Sequence, residues 1–374
     1  MSPADKAFEA IAARGGDLVN PPVTIEASVP LELSGEVVRN RICTFVDAEG
    51  KEWALRPDLT LPVAQSEIAA RANGATQETI RRYRGPVFRL PALATEPVEY
   101  EQIGLERFGS ARGVEEDIWI FETLAEASMA AGVKSGAATF GDLSVFPAFV
   151  DALGLETDIA AGLKRAFRQE GGVRAYLKGT DRTQGGITSR LQGMSQQEVG
   201  AFVDDIFAMT GVQPVGERSA DEIVERLYQR ASASDVTLTD DQSQLLDDVL
   251  SLDAPIGEAA QILKDLAASV GLTVLADKLS RFEERMARLS STEFSRLIKG
   301  ARFATQFGRR FTYYDGFVFE IAPDESADGK KRPFAAGGRY DALLSDLSGG
   351  AVSATAIGGI VSPHRLSGAE GVSQ

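Results

Sequence analysis

Leu55-Arg56-Pro57-Asp58-Leu59-Thr60 is the stretch from which the fold of this chain can be recognised. Two distant segments carry polar and aromatic side chains of the same kind: Phe88-Arg89 followed by Gln102-Ile103-Gly104-Leu105-Glu106, and Tyr313-Tyr314 followed by Gly337-Gly338-Arg339-Tyr340-Asp341. Each segment places carboxylates, amides or hydroxyls among apolar residues. Together the three segments predict a single pocket for a small ligand, built from separate parts of the chain.

The side chains of these segments match what a free amino acid with an imidazole would need. An ammonium needs acceptors, a carboxylate needs an arginine or amide donor, and an imidazole needs a polar partner at each nitrogen. A buried acid beside an arginine can equally be a structural ion pair, and a tyrosine in a strand can be core, so the residue types alone leave both interpretations open. The candidates are Asp58, Thr60, Gln102, Glu106, Arg309, Tyr313, Tyr314 and Tyr340.

The composition narrows the classes of function. The chain has 374 residues, of which 44% are apolar, which suffices for a large core and suits two domains better than one. Its 39 basic and 54 acidic residues give a formal charge of −15. Because so acidic a surface repels phosphate backbones, no nucleic-acid partner is expected.

Cysteine and histidine each occur once, as Cys43 and His364. A lone cysteine cannot form an internal disulfide or a zinc framework, and no metal or cofactor is expected. A histidine base anywhere but at His364 is excluded. Residues 1–6 lack the apolar core of a signal peptide and no apolar run is long enough to span a bilayer, so we expect a cytoplasmic protein without a membrane partner.

Hydrophobic periodicity predicts a sheet-rich module at both ends of the chain. The predicted strands cover 41–48, 51–57, 77–90, 98–108, 136–144, 311–322 and 353–361. The predicted helices cover 4–15, 60–72 and 115–131, with a short helix over 339–347 opened by Gly337-Gly338 and another from Pro363 onwards.

The middle of the chain differs from both ends. From about residue 147 to 290 the pattern is almost wholly helical, with capping boxes at Ser195-Gln196-Gln197-Glu198 and Ser219-Ala220-Asp221-Glu222. The predicted organisation is a core formed by 1–145 and 291–374, interrupted by a mostly helical insertion over 146–290.

Five motifs of the sheet-rich module resemble those of histidyl-tRNA synthetases, which are class II aminoacyl-tRNA synthetases. The family's Leu-Arg-Pro-Glu-Gly-Thr, Tyr-x-Gly-Pro-x-Phe-Arg and Gln-x-Gly-x-Glu are matched by 55–60, 83–89 and 102–106. Its Arg-x-x-x-Tyr-Tyr followed by Val-Phe-Glu is matched by 309–314 and 318–320, and its Gly-Gly-Arg-Tyr-Asp-Gly-Leu by 337–343, with Ala342 as the one change. The resemblance covers about 1–145 and 295–366, and it implies an α+β fold with a mainly antiparallel class II synthetase-like sheet, flanking helices and a helical insertion.

The resemblance assigns roles to the candidate pocket residues. Asp58, Thr60 and Gln102 stand where the family holds the amino group of histidine, with Glu106 in the same pocket. Tyr314 and Tyr340, with Tyr313 alongside, stand where it holds the imidazole. Arg309 stands where it places an arginine near the carboxylate. Asp58 replaces a glutamate and is one methylene shorter.

The ATP side of the family's site is altered. In synthetases the loop after Phe-Arg begins with a glutamate that reads adenine and goes on to supply basic residues to the phosphates. Here residues 90–101 contain no lysine or arginine but three glutamates, and Pro91 replaces the adenine-reading residue. Because carboxylates would repel a triphosphate, synthetase activity is expected to be lost. Arg89 persists as a possible residual nucleotide or anion contact, although an ion pair within the sheet is its alternative.

The family's Gly-Leu-Glu-Arg signature is replaced by Ser362-Pro363-His364-Arg365. Arg365 persists as a second possible nucleotide or anion contact, whereas Pro363 removes a backbone donor and His364 replaces the acid. The chain ends nine residues after Arg365, where synthetases continue into an anticodon-binding domain. With the acidic charge, this is a further reason not to expect tRNA as a partner.

A kept amino-acid pocket beside a lost ATP site resembles the regulatory subunits of ATP phosphoribosyltransferase, which are paralogues of the synthetases. That resemblance implies a non-catalytic protein of histidine biosynthesis that activates a short-form catalytic subunit and relays feedback inhibition by L-histidine. It also implies a hetero-oligomer, expected to be a hetero-octamer, and a self-dimer through the core, where Pro22 lies in a segment resembling class II motif 1. Two alternatives stay open: a truncated histidine-activating enzyme that forms an aminoacyl-adenylate, and a stand-alone histidine-binding module.

Overall fold

The computed structural model describes residues 1–33, 36–92, 97–111, 113–169, 171–177, 191, 194–210, 224, 227, 238–309, 312–324 and 332–366. The chain forms two compact units. The first consists of Met1–Ala152 and Asp248–Gln374, and the second of Leu153–Asp247. The second unit lies inside the predicted insertion over 146–290. The limits of that insertion stay a prediction.

The first unit is built around strands, which we number in chain order. They are β1 Asp17–Leu18, β2 Thr24–Glu26, β3 Thr44–Val46, β4 Glu52–Leu55, β5 Thr79–Phe88, β6 Glu99–Phe108, β7 Ala137–Asp142, β8 Asp253–Pro255, β9 Arg302–Ala304, β10 Phe317–Ala322, β11 Ala335–Arg339 and β12 Ala356–Val361.

Nine of these strands form one sheet, in the order β1-β5-β6-β12-β11-β10-β7-β9-β8. The pairs β1–β5 and β7–β9 are parallel, and the remaining neighbours are antiparallel. A second, antiparallel sheet has the order β2-β4-β3. The mainly antiparallel sheet with flanking helices confirms the predicted fold class.

The helices of the described residues are also numbered in chain order. They are α1 Pro3–Ala12, α2 Ser28–Leu33, α3 Glu36–Arg39, α4 Thr60–Ala72, α5 Val114–Ala130, α6 Val145–Ala152, α7 Thr157–Phe167, α8 Gly172–Leu177, α9 Gln196–Thr210, α10 Asp240–Ser251, α11 Ile256–Ser269, α12 Ala276–Ser290, α13 Ser295–Ile298, α14 Leu343–Leu347 and α15 Pro363–Leu366, with a 3-10 turn over Thr273–Leu275.

Helix α5 shows why the large sheet is covered on one face. Its residues Ile118, Phe121 and Leu124 recur at intervals of three and are buried. The Phe121 ring lies 5.3 Å from the ring centroids of both Phe140 on β7 and Phe319 on β10. The predicted helix over 115–131 is therefore confirmed, because its apolar stripe packs on the middle of the sheet.

The second unit contains α7, α8 and α9 and the first part of α10. Helix α7 buries Ile159, Leu163 and Phe167 on one face. A smaller apolar cluster forms around Leu191 and Val199. Among its described residues this unit is helical, as its periodicity predicts.

Helix 60–72 and the hairpin of β3 and β4 are confirmed, whereas other elements differ from the prediction. Strands β1, β8 and β9 were not predicted, because two or three residues are too few to show an alternating pattern. Of the predicted strand over 311–322, Phe317–Ala322 form β10, residues 312–316 are not in a strand, and residue 311 lies outside the described residues. Of the capping boxes, the one at Ser195 and Glu198 is present, and the one at 219–222 lies outside the described residues.

Gly337 and Gly338 lie within β11, so the predicted helix opening there was wrong, and helix α14 begins only at Leu343. A Cβ added at Gly337 would lie 2.7 Å from the carbonyl oxygen of Gly358, and one at Gly338 would lie 2.7 Å from that of Phe317. Both distances are shorter than real contacts allow. The glycines therefore permit close packing of neighbouring strands instead of opening a helix.

The guanidinium of Arg56 ties β4 to two other segments. Its side chain is 1% exposed. It donates through Nε to the carbonyl of Pro86 at 2.8 Å and through Nη1 to the carbonyls of Pro21 and Pro22 at 2.5 and 3.2 Å. A buried arginine satisfied by backbone carbonyls thus cross-links the segment before β2, the residue after β4 and the end of β5.

We expect Arg56→Met to lower the free energy of unfolding by about 2–4 kcal/mol, because buried carbonyls would lose their donor. Arg302→Met is the matched control, since Arg302 pairs with Asp253 at the surface and its loss should cost about 1 kcal/mol or less. Urea denaturation of the three proteins provides the measurement. Equal losses in both variants would contradict the cross-linking role of Arg56.

Candidate amino-acid site

The carboxylate of Glu106 lies at the centre of the candidate site. Glu106 is the third residue from the end of β6 and is fully buried. Its Oε1 accepts from the Tyr83 hydroxyl at 2.6 Å and from the Thr60 hydroxyl at 2.8 Å, and its Oε2 accepts from the Tyr340 hydroxyl. Groups from β5, the start of α4 and the end of β11 therefore converge on one side chain.

Glycine 358 provides the space for this carboxylate. It is the register partner of Glu106 on β12. A Cβ added at Gly358 would lie 1.4 Å from Oε2 of Glu106. On the same strand as Glu106, a Cβ at Gly104 would lie 2.8 Å from the Tyr83 hydroxyl. Because they have no side chains, the two glycines leave room for the Glu106 carboxylate and the Tyr83 hydroxyl.

Burial raises the pKa of Glu106 to about 7. Hydrogen bonds from Tyr340, Tyr83 and Thr60 favour the charged form and limit this rise, whereas nearby Asp58 adds to it. Burial also raises the pKa of Asp58. Two neighbouring buried carboxyls with raised pKa values create a site that favours a cationic occupant.

Asp58 and Gln102 each present a buried acceptor that lacks a donor among the described residues. Both residues are 3% exposed. Oδ1 of Asp58 accepts from the amide of Leu61 at 3.0 Å, which places Asp58 at the first turn of α4. Oδ2 of Asp58 and Oε1 of Gln102 have no hydrogen-bond partner in that part of the chain. Since buried acceptors are normally satisfied, these two atoms indicate where a ligand's donors would bind.

Three tyrosine rings pack together beside Glu106. The ring centroid of Tyr313 lies 4.7 Å from that of Tyr314 and 5.8 Å from that of Tyr340, and the centroids of Tyr314 and Tyr340 are 6.1 Å apart. Burial raises the pKa of each of the three phenols, so all remain neutral near pH 7. The result is an apolar wall with hydroxyl groups, a surface suited to an imidazole.

The guanidinium of Arg309 bonds within its own turn. Its Nε donates to the carbonyl of Gln306 at 3.0 Å, and its Nη2 donates to the Gln306 side-chain oxygen at 2.9 Å. These bonds hold the arginine at the turn that precedes the tyrosine pair. Its role at a ligand carboxylate stays a prediction.

Arg89 and Arg365 lie around the ring of Tyr100, together with Arg41. Nε of Arg89 donates to the carbonyl of Pro57 at 2.8 Å, and its guanidinium lies 5.8 Å from the Tyr100 ring centroid. Nη1 of Arg365 donates to the carbonyl of Pro333 at 2.9 Å. Burial raises the pKa of Tyr100, and the three arginines oppose that rise. The two candidate anion contacts thus lie near one another, and their function stays a prediction.

Tyr83 is a site residue that the candidate set omitted. Its hydroxyl donates to Glu106, and the residue is fully buried. Tyr83 on β5 lies opposite Gly104 on β6 in the register of these two strands. A tyrosine opposite a glycine on a predicted neighbouring strand is a signal from which it could have been found.

The described residues contain neither a cluster of metal-ligand side chains nor a helix suited to span a membrane. Within them, the His, Cys, Asp and Glu side chains form no group of three or more that could hold a metal ion. The helices of those residues include none with the length and apolarity needed to cross a membrane.

Comparison with known proteins agrees with this geometry. A family model described as histidyl-tRNA synthetase matches residues 4–195 and 200–365. The ATP phosphoribosyltransferase regulatory subunit of Agrobacterium fabrum is 30% identical over 351 residues, which cover 92% of this chain and 90% of the relative. The protein of the same name from Mesorhizobium japonicum is 30% identical over 364 residues, covering 93% of this chain and 91% of the relative.

Two solved structures share the fold. A structure named ATP phosphoribosyltransferase regulatory subunit/histidyl-tRNA synthetase from Bacillus halodurans has a TM-score of 0.62 at 20% identity, over 100% of this chain and 79% of that one. Histidyl-tRNA synthetase from Nostoc sp. PCC 7120 has a TM-score of 0.57 at 16% identity, over 97% of this chain and 69% of that one.

The sheet and its buried polar centre define a protein of the histidyl-tRNA synthetase-like class. Within this class, the chain belongs to the family of ATP phosphoribosyltransferase regulatory subunits. The resemblance inferred from the five motifs is thereby confirmed.

The raised pKa of Glu106 predicts a pH dependence of stability. The folded chain binds this proton more tightly than an unfolded chain, whose carboxyl has a pKa near 4.5. Stability from the protonated form is fully present below about pH 4.5 and is lost as the pH rises through about 7. Relative to Glu106→Gln, the wild type should therefore lose on the order of 2–3 kcal/mol of unfolding free energy between pH 5 and pH 8.

Urea denaturation of both proteins at a series of pH values measures this difference. Other titrating groups are common to the two proteins and cancel in the comparison. A difference that stays constant from pH 5 to pH 8 would show that Glu106 is ionised throughout this range.

Proposed function

We propose that this chain is a non-catalytic regulatory subunit that binds free L-histidine in the site around Glu106. The observation that carries the proposal is the pair of buried acceptors, Oδ2 of Asp58 and Oε1 of Gln102, beside a buried carboxyl. An α-ammonium supplies three donors and a positive charge, which matches these acceptors. The tyrosine rings then offer the imidazole an apolar wall with hydroxyl groups.

The names of the relatives support a partner protein for this chain. The proposed partner is a short-form ATP phosphoribosyltransferase catalytic subunit, which the chain would activate in a hetero-octamer. In this proposal, histidine binds one state of the assembly more tightly than the other and so relays feedback inhibition. The extent of inhibition is limited by the ratio of the two affinities.

A self-dimer through the core is part of the same proposal. The small sheet β2-β4-β3 carries exposed apolar residues: Phe45 is 43% exposed and Val46 is 60% exposed, both on β3. Val23, which directly precedes β2, is 41% exposed. Apolar groups at this position support contact with a second copy, which agrees with the motif 1 resemblance around Pro22.

One observation favours the alternative of a histidine-activating enzyme. Arg89 and Arg365 both persist and lie around Tyr100, close enough for each to influence its pKa. A pair of arginines could contact a phosphate. The segment 90–101 that follows Arg89 contains no lysine or arginine, however, and so lacks the further positive charge that a triphosphate needs.

Histidine affinity tests the proposed pocket directly. We expect Gln102→Ala and Tyr340→Phe each to weaken binding of L-histidine about tenfold to hundredfold, because each removes a polar contact in a buried site. Glu101→Gln is the control: it changes the neighbouring residue on β6, whose carboxylate pairs with Arg84 at 2.7 Å. Calorimetric titration gives the affinities. Unchanged binding in both pocket variants would place the ligand elsewhere.

The regulatory role is tested by adding the chain to a short-form catalytic subunit. We expect phosphoribosyl transfer to rise on mixing and L-histidine to inhibit it. Gln102→Ala should still assemble while the inhibition constant rises about tenfold or more. In addition, the pure chain should not catalyse histidine-dependent exchange between pyrophosphate and ATP.

Three results would separate the alternatives. Robust exchange by the pure chain would establish the enzyme and contradict the regulatory proposal. Histidine binding without any association with the catalytic subunit would favour the stand-alone module. Assembly and activation with full histidine inhibition in Gln102→Ala would retain the regulator and reject only the pocket.

A further inference from the structure

A cavity of about 270 Å³ opens in the first unit where β7 ends and α6 begins. Its described lining residues differ from those of the site around Glu106. One wall comes from Val145 and Phe149 on α6 and the other from Leu279 and Phe282 on α12, and all four side chains are buried. The volume approaches the lower end of the range for sites that hold small molecules.

Three cations on α12 line this cavity: Lys278, Arg281 and Arg285. Residues three and four apart lie on the same face of a helix, so the spacing groups their charges along one side of the opening. The whole chain carries a charge of −15, which makes a local group of cations beside an apolar wall unusual for this protein.

Arg285 has a structural role that the other two cations do not share. Its Nε lies 2.7 Å from Oδ2 of Asp117, and its Nη1 donates to Oδ2 of Asp142 at 2.6 Å. Oδ1 of Asp142 accepts from the amide of Ser144 at 2.9 Å. Asp142, the carboxylate of the lining, is therefore well supplied with donors from Arg285 and Ser144.

Lys278 and Arg281 supply the remaining positive charge of the lining, although Lys278 also acts on Asp142 and helps to hold the pKa of that carboxyl below its ordinary value. Arg281 is exposed and Lys278 is half-buried. Two acids of α12 bond cations outside the lining: Glu283 lies 2.6 Å from Lys264, and Glu284 lies 3.7 Å from Arg288. The third acid of this helix, Asp277, directly precedes Lys278. The opening thus combines two cationic donors with a buried aromatic and aliphatic interior.

We propose that this cavity binds a small organic anion that has an apolar, preferably aromatic, body. The body packs between Phe149 and Phe282, and a carboxylate or phosphate group meets Lys278 and Arg281 at the opening. A nucleic acid or a protein segment does not suit a cavity of this volume. A simple inorganic anion would leave the apolar wall without a partner, so the binding must depend on both parts of the ligand.

Phenyl phosphate is the probe, because it joins an aromatic ring to an anionic head. Calorimetric titration of the full chain should show saturable 1:1 binding. Phenol, which lacks the charge, and inorganic phosphate, which lacks the ring, should each bind at least tenfold more weakly.

Variants on both sides of the cavity then locate the binding. Lys278→Gln combined with Arg281→Gln should weaken phenyl phosphate at least tenfold, and Ala148→Leu should do the same by filling the interior. Lys264→Gln combined with Arg288→Gln is the control, because it removes two charges nearby without altering the lining. Circular dichroism and unchanged L-histidine binding show that each variant remains folded.

Each of several results would overturn the proposal. Inorganic phosphate binding as tightly as phenyl phosphate would reveal an adventitious surface ion only. Undiminished binding in both cavity variants would place the anion outside this cavity, and a loss in Arg89→Gln alone would place it near Tyr100. Absence of wild-type binding at about 10 mM phenyl phosphate would reject the site.

Discussion

The buried carboxyl of Glu106 is the constraint on which the candidate site depends. Taking a carboxylate out of water costs several kcal/mol unless hydrogen bonds offset the loss. Here the hydroxyls of Thr60, Tyr83 and Tyr340 supply those bonds, and each comes from a different element. Because all three must reach the same group, their elements are held in one arrangement around β6. The pKa near 7 is the remaining cost, and it shows that the hydrogen bonds do not fully replace water.

The region around Glu106 and the region around Tyr100 differ in the contacts that hold their polar groups. Around Glu106 the polar groups are buried and converge, so a change in one affects the others. Around Tyr100 the arginines bond backbone carbonyls: Arg89 reaches Pro57, and Arg365 reaches Pro333. These bonds give both guanidiniums a structural role that needs no nucleotide. Because both arginines have structural partners, their presence alone is not support for nucleotide binding.

How far the sequence predicts this protein depends on the length of each pattern. Helix α4 over Thr60–Ala72 was predicted at its observed limits, and the long strands β5 and β6 within two residues, because each has a sustained period. Gly337 and Gly338 misled the prediction, since glycine marks both turns and close strand contacts, and only the neighbouring strands decide between them. At the site, the motifs identified Asp58, Gln102 and Glu106. The position of Tyr83 depends on register and on Gly104, neither of which a single strand reveals.

The tight packing of the site suggests how, in the proposed function, histidine binding alters the assembly with the catalytic subunit. Asp58 and Gln102 are 3% exposed, Tyr340 is fully buried, and the three tyrosine rings lie within about 6 Å of one another. In the proposed function, histidine therefore displaces at least one of the elements that meet at Glu106. Tyr340 follows Arg339, which bonds Asp117, and Asp117 in turn pairs with Arg285 on α12. A displacement at Tyr340 thus acts on a buried ion-pair network that joins β11, α5 and α12. A ligand that must shift such elements binds their displaced state more tightly, and this difference is what linkage requires for regulation.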